Sequence, residues 1–130
     1  MTTVPATFRE VLEKVAFAQL ATLMPDGSPQ VNPVWFEFDG RVVRVNSARG
    51  RQKDRNMRRD PHVALSVQDP ANPYHYVQIR GRVTAIEEAG ADEHIDRLAK
   101  RYLGVDRYPH RQPGEVRVIY TIEPEHLSGI

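Results

Sequence analysis

Apolar positions along this chain follow two rhythms. Val4, Phe8, Val11, Leu12 and Val15 recur at helical spacing. They predict a short amphipathic helix over residues 6–15, with Thr7 and Glu10 as its capping box. Ala91, Ile95, Leu98, Ala99 and Tyr102 predict a second amphipathic helix, ended near Gly104. Elsewhere the pattern is that of strands. Residues 17–24 read as a strand closed by the turn Pro25-Asp26-Gly27-Ser28, and 29–38 as the next. Asp39-Gly40 is a two-residue hairpin motif leading into a partner strand over 41–46. Val63, Leu65 and Val67 alternate within 62–68, and 69–73 reads as a Pro-rich loop. A long strand over 74–86 sets Val77, Ile79 and Val83 against Gln78, Arg80 and Arg82, with Gly81 marking a bulge or a close backbone approach. After a Pro-rich loop over 106–114, Val116, Val118, Tyr120 and Ile122 alternate in a last strand.

Six strands joined by hairpins, with no βαβα rhythm, predict a mainly β fold: an antiparallel six-stranded barrel with peripheral helices. The length of 130 residues suits a single domain over 1–130. Apolar residues make up 40% and charged residues 27%, as in soluble globular proteins. There is no cysteine, which excludes disulfides and thiolate catalysis. No apolar run approaches the roughly 20 residues of a membrane span. The start Met1-Thr2-Thr3-Val4-Pro5 lacks the pattern of a signal peptide. A cytoplasmic protein is expected.

The net charge is only +1, yet six cations crowd one segment: Arg49, Arg51, Lys53, Arg55, Arg58 and Arg59, opposed by Asp54 alone. The segment follows a strand, turns at Gly50 and becomes helical over 51–59, ended by Asp60-Pro61. Free backbone N–H groups, the helix dipole and side-chain cations then converge, which suits an anion. On this reading Ser47, Ala48, Arg49, Gly50, Arg51 and Lys53 hold a phosphate; the alternative is a solvated basic helix. Near-neutral total charge, and aromatics not interleaved with the basic run, argue against nucleic acid.

Two aromatic stretches accompany this segment. In Asn32-Pro33-Val34-Trp35-Phe36, Pro33 removes a ladder donor and suits an edge or bulge, where freed backbone groups could address a flat heterocycle. Tyr74, Tyr76 and Gln78 share one face of their strand and could flank a planar ligand. By pattern alone, core packing is the favoured reading of the first stretch and a dimer interface or barrel packing that of the second, and a homodimer is expected from this surplus of aromatics. His62, His75, His94, His110 and His126 are scattered without metal-ligand spacing, and Glu93-His94 beside Asp92 and Asp96 reads as a solvated helix face. No nucleophile or carboxylate pair stands out. An enzyme of this composition would leave its chemistry to a bound cofactor.

Three runs together carry a family resemblance: Gly27-Ser28-Pro29-Gln30-Val31-Asn32-Pro33-Val34-Trp35-Phe36, Ala48-Arg49-Gly50-Arg51-Gln52-Lys53-Asp54-Arg55-Asn56, and Ile79-Arg80-Gly81-Arg82-Val83. The chain resembles pyridoxamine 5'-phosphate oxidase-like proteins, above all the actinobacterial branch of flavin/deazaflavin oxidoreductases that uses coenzyme F-420. The resemblance implies a split β-barrel of the FMN-binding-protein type, a homodimer with two cofactor sites at its interface. It implies that 48–53 bind the cofactor's phosphate and tail, with Arg51, Gln52 and Lys53 among the residues involved. It implies that Asn32, Pro33, Val34 and Trp35 lie along the ring system, and that Tyr74, Tyr76 and Gln78 come from the other subunit. Ile130 stands where relatives carry a tryptophan, which implies a more open substrate space. The implied activity is F-420-dependent transfer of a hydride to an electron-poor double bond of a small organic substrate. No metal and no protein catalytic residue is implied. FMN is the alternative cofactor, and a non-catalytic F-420 carrier the alternative function.

Overall fold

The computed structural model describes residues 3–130. Met1 and Thr2, part of the stretch read above for a leader, lie outside them. The order is α1 (Ala6–Leu12), β1 (Ala18–Leu23), β2 (Pro29–Val34), β3 (Phe36–Phe38), β4 (Val43–Ala48), α2 (Gln52–Arg59), β5 (His62–Asp69), β6 (Asn72–Glu87), α3 (Ala91–Leu103) and β7 (Arg117–Gly129). All strand pairs are antiparallel, in the order β2-β1-β5-β6-β7-β4-β3.

The strand expected over 29–38 is therefore two strands, and they lie at opposite edges of the sheet. Flat, seven strands would separate those edges by about 29 Å. Trp35 alone joins them, and one residue spans at most about 3.6 Å. The sheet must curl until its edges meet, and the closure is a covalent crossing rather than a ladder. This is a split barrel. The expected count of six strands holds if β2 and β3 are taken as one broken strand.

Curling produces a single interior. Val11 and Leu12 of α1, Leu20, Phe36, Val45, Leu65, Ile79, Val118, Tyr120 and Ile122 fill it, each 1% exposed or less. Alternation put these residues on inward faces, and burying them drives closure. Met57 of α2 joins the same cluster.

Local chemistry explains the other departures from expectation. The Thr7–Glu10 box does not form, because Pro5 already caps α1: its carbonyl accepts from Phe8 and Arg9 N–H at 3.1 and 2.9 Å. A tight turn, Lys14 N–H to Val11 O, follows the end of α1 at Leu12, short of Val15. The loop over 69–73 shrinks to Pro70 and Ala71, with a register shift taking up the slack. β7 runs seven residues past Ile122 and carries Pro124 opposite Gly81 at a bulge. There the expected close approach is real, since a Cβ on Gly81 would lie 2.3 Å from the Glu123 carbonyl oxygen.

Candidate functional site

The β4–α2 connection turns at Gly50, whose φ of 92° lies where only glycine is unstrained. Its N–H donates to Asp54 Oδ2 at 2.9 Å. Asp54 Oδ1 accepts from Arg58 Nε at 3.0 Å and from the Tyr120 hydroxyl. A buried acid thus ties turn, helix and β7 together. The amides of Gln52, Lys53 and Asp54 precede the first bond of α2, Arg55 N–H to Arg51 O.

The six cations divide sharply. Arg49 pairs with Glu88, Arg58 with Asp54, and Arg51 with Glu115 at 3.2 Å. Arg55 bonds the Gly50 carbonyl and Gln52, while Arg59 bonds the Leu23 carbonyl and Asn56. Lys53 alone among the six has no acceptor in the described residues. Burial first, then the Arg51 and Arg117 charges, push its ammonium below the usual lysine range.

Lys53 faces a trough made of two adjoining hollows, of about 200 and 350 Å³, that share Pro33, Arg51 and Lys53. The strand break forms one wall. Trp35 stacks on Tyr102 of α3 at 5.2 Å and 12°, and Tyr108 meets its ring edge-on at 6.0 Å. The Tyr102 hydroxyl accepts from Phe36 N–H at 3.1 Å and donates to Ala16 O at 2.6 Å. It satisfies backbone groups that the crossing takes out of the ladder. Burial is the main cause that raises the Tyr102 pKa.

The trough also takes in Arg117 and Asn46, which sequence reasoning missed. Arg117 is 5% exposed, its Cζ 5.1 Å from the centre of the Tyr108 ring. Its Nη1 bonds Glu115 at 3.0 Å and its Nε bonds Asn46 Oδ1 at 2.9 Å. Asn46 Nδ2 reaches His94 Nδ1 at 3.0 Å. His94 Nε2 approaches Glu37 Oε1 to 3.0 Å, at ion-pair range but not aligned as a hydrogen bond. This close approach, with Arg97 adding to it, overcomes burial and lowers the Glu37 carboxyl to about 2. His94 is 1% exposed, so its expected place on a solvated face is wrong. Helical periodicity puts position 94 beside Ile95 and Leu98, and the polar partners that admit it lie on β3 and β4.

A family model for pyridoxamine 5'-phosphate oxidase matches residues 4–129. The chain belongs to that family. Among solved structures, an F-420 reductase is 39% identical, covering 96% of this chain and 98% of its own, with a TM-score of 0.85. A conserved hypothetical protein from Mycobacterium tuberculosis (24% identity, 98% of this chain and 84% of that one, TM-score 0.73) shares the fold. So does a protein of unknown function from Agrobacterium tumefaciens (20% identity, 96% and 57%, TM-score 0.75).

Within this family member, Asn32, Pro33, Trp35, Arg51, Gln52 and Lys53 meet at the trough, and Val34 lines its inner part. Ala48 and Gly50 shape the turn, and Arg49 points away to Glu88. Ser47 turns the other way, 1% exposed, with no partner for its Oγ among the described residues. It alternates with Asn46, so only one of the two can face the trough. Tyr74, Tyr76 and Gln78 lie on the outward face of β6 and do not reach their own chain's trough; Tyr74 is 82% exposed. A larger hollow of about 500 Å³ lies on the outer sheet face around Arg80 and His126. It lacks the turn, the helix start and the aromatic wall. His75, read as one of the scattered histidines, places a ligand-type atom within 4.8 Å of those of Glu10 and Asp69, but Lys14 already holds Asp69 at 2.7 Å. No helix among the described residues is long and apolar enough to cross a membrane.

Proposed function

We propose that the trough holds a flavin-type redox cofactor, coenzyme F-420 foremost, and that the protein is a reductase acting on an electron-poor double bond, as in an enone or a conjugated lactone. One observation carries this reading: Lys53, an unpartnered and partly desolvated cation, sits beside the flat Pro33 and Trp35 wall. The 39% identity to an F-420 reductase over nearly the whole chain supports it. When bound, the cofactor would supply the hydride chemistry.

The chain's own residues would bind and orient. Lys53 and Arg51 would take the phosphate, with the first amides of α2 behind them. Asn32 to Trp35 would lie along the ring, and Ile95 and Leu98 would keep water from one side. Tyr74, Tyr76 and Gln78 of a second copy would complete the trough, a role open to them because they face outward. Solvent would supply the proton.

FMN is a second reading with its own support. Of the six cations only Arg51 and Lys53, joined by Arg117, face the trough, a charge that matches a single phosphate. Calorimetric titration with each cofactor decides between them. For the preferred one, Lys53→Ala is expected to weaken binding by about 2 kcal/mol, some thirtyfold, as for a lost charge-assisted hydrogen bond. Unchanged affinity would remove Lys53 from the site. Oxidation of reduced F-420 in the presence of a panel of enones separates an enzyme from a carrier.

A further inference from the structure

Two neighbours of Asn46, Arg117 and the Ala91 carbonyl, have a fixed hydrogen-bonding sense. Arg117 Nε can only donate, so the bond to Asn46 turns the amide oxygen toward β7. The Ala91 carbonyl can only accept, so at 3.0 Å it turns Nδ2 toward α3. These two partners settle the amide's orientation. Nδ2 then donates its second proton to His94 Nδ1, which must be an acceptor, and the ring proton is left on Nε2, facing Glu37.

We propose that Arg117 is a third anion-binding residue of the trough and that Asn46 and His94 position it, so that binding of an anionic cofactor is coupled to the protonation of His94. The proposal rests on the cofactor reading above. Arg117 lines the trough with Arg51 and Lys53, and its hydrogen bonds to the described residues run through Nε and Nη1, leaving Nη2 without one. A cationic His94 would set a ring N–H against the Asn46 amide N–H. Asn46 would have to turn over, giving its oxygen to His94 and so taking that acceptor from Arg117 and the Nδ2 proton from the Ala91 carbonyl.

The charges facing this chain pull both ways. Glu37 on β3, with Arg97 of α3 behind it, favours the cation. Arg117 on β7, through Asn46 on β4, opposes it, and Glu115 sits between Arg117 and Arg51. Lys53 and Arg51 add positive charge across the trough. A protonated ring would by plain attraction draw an anion in. Loss of the Arg117 anchor would weaken binding. The sign of the pH effect therefore separates positioning from charge alone.

Two measurements test this. Nitrogen-15 spectra of the free protein at about pH 8 should show His94 protonated on Nε2 only, with Nδ1 as acceptor. A proton on Nδ1 at that pH would overturn the relay, whatever the cofactor. Calorimetry with F-420 and with FMN at about pH 8 and about pH 6 should then compare wild type with His94→Gln, which does not titrate, so the ligand's own titration cancels. Wild-type affinity should fall about tenfold more than that of His94→Gln on acidification, an ordinary coupling between sites. Equal dependence, or tighter wild-type binding at the lower pH, overturns the coupling. Arg117→Lys, which keeps the charge but not the Nε bond, should lose the wild-type pH dependence as well. Failure of both cofactors to bind wild type overturns the cofactor reading and the Arg117 role with it, whereas a wrong tautomer overturns the relay alone.

Discussion

Asp54 lies inside the basic segment and is 1% exposed. In sequence it is one acid among six cations. Folded, it accepts from the Gly50 amide, Arg58 and Tyr120, and so sets the turn that presents Lys53. Burial works against its charge, yet the Tyr120, Gly50 and Arg58 bonds outweigh it and hold the carboxyl below the usual range. The folded value is the lower one. Its stabilisation is therefore complete above the unfolded value of about 3.9 and is lost as pH falls through the folded value. Asp54→Asn is expected to cost about 3 kcal/mol at neutral pH in urea unfolding, since it leaves buried donors short of a charged acceptor. The gap from wild type should narrow in acid. Equal stability at neutral pH would mean that the carboxylate does not organise the turn.

At the scale of elements, the turns were legible. The hairpin expected at Asp39-Gly40 forms, but its tip is Gly40-Arg41 and β4 starts at Val43 rather than at 41, because Asp39 Oδ1 accepts from Arg41 and Val42 N–H at 2.9 and 2.8 Å. Local side-chain chemistry decides such a turn, so a short window of sequence suffices. The break at Trp35 was not legible, because apolar alternation continues through it. The residue that secures the break, Tyr102, lies 66 positions away from Phe36. Gly81 was legible as a special position but not as a particular clash. Gly81→Ala would drive a Cβ into the Glu123 carbonyl, and about 3 kcal/mol of destabilisation is expected in thermal or denaturant unfolding. A variant of wild-type stability would show that the bulge can open.

At the scale of the whole molecule, the outer face of the sheet is the surface a second copy would cover. The register sets Val31, Ala21, Ala64, Arg80 and His126 in one row across five strands. Val31 is 60% exposed. Tyr74, Tyr76 and Gln78 share the outward face of β6 with Arg80, so a second copy covering this face would meet them. Sedimentation equilibrium is expected to give a dimer at micromolar protein, and Val31→Glu, which puts a charge where an apolar side chain would be covered, should raise the dissociation constant at least about tenfold. A monomer throughout would remove the second copy from the site.

The amino-acid sequence by itself determined the helix and strand periodicities, the turn residues and the strand–turn–helix order of the basic segment. Each depends on residues a few positions apart, whose steric and hydrogen-bonding preferences act locally. Local pairing takes up Arg55 and Arg58, and tertiary structure decided the fate of the other cations. Glu88 and Glu115 reach Arg49 and Arg51 from distant segments, Asp54 and nearby carbonyls occupy others, and Lys53 is left over. It also decided that His94, read as part of a solvated helix face, and Arg117, which the sequence reading missed, face polar partners inside. An ion pair or a buried polar chain exists only where the fold brings its members together, and that is settled by closure of the barrel rather than by spacing along the chain.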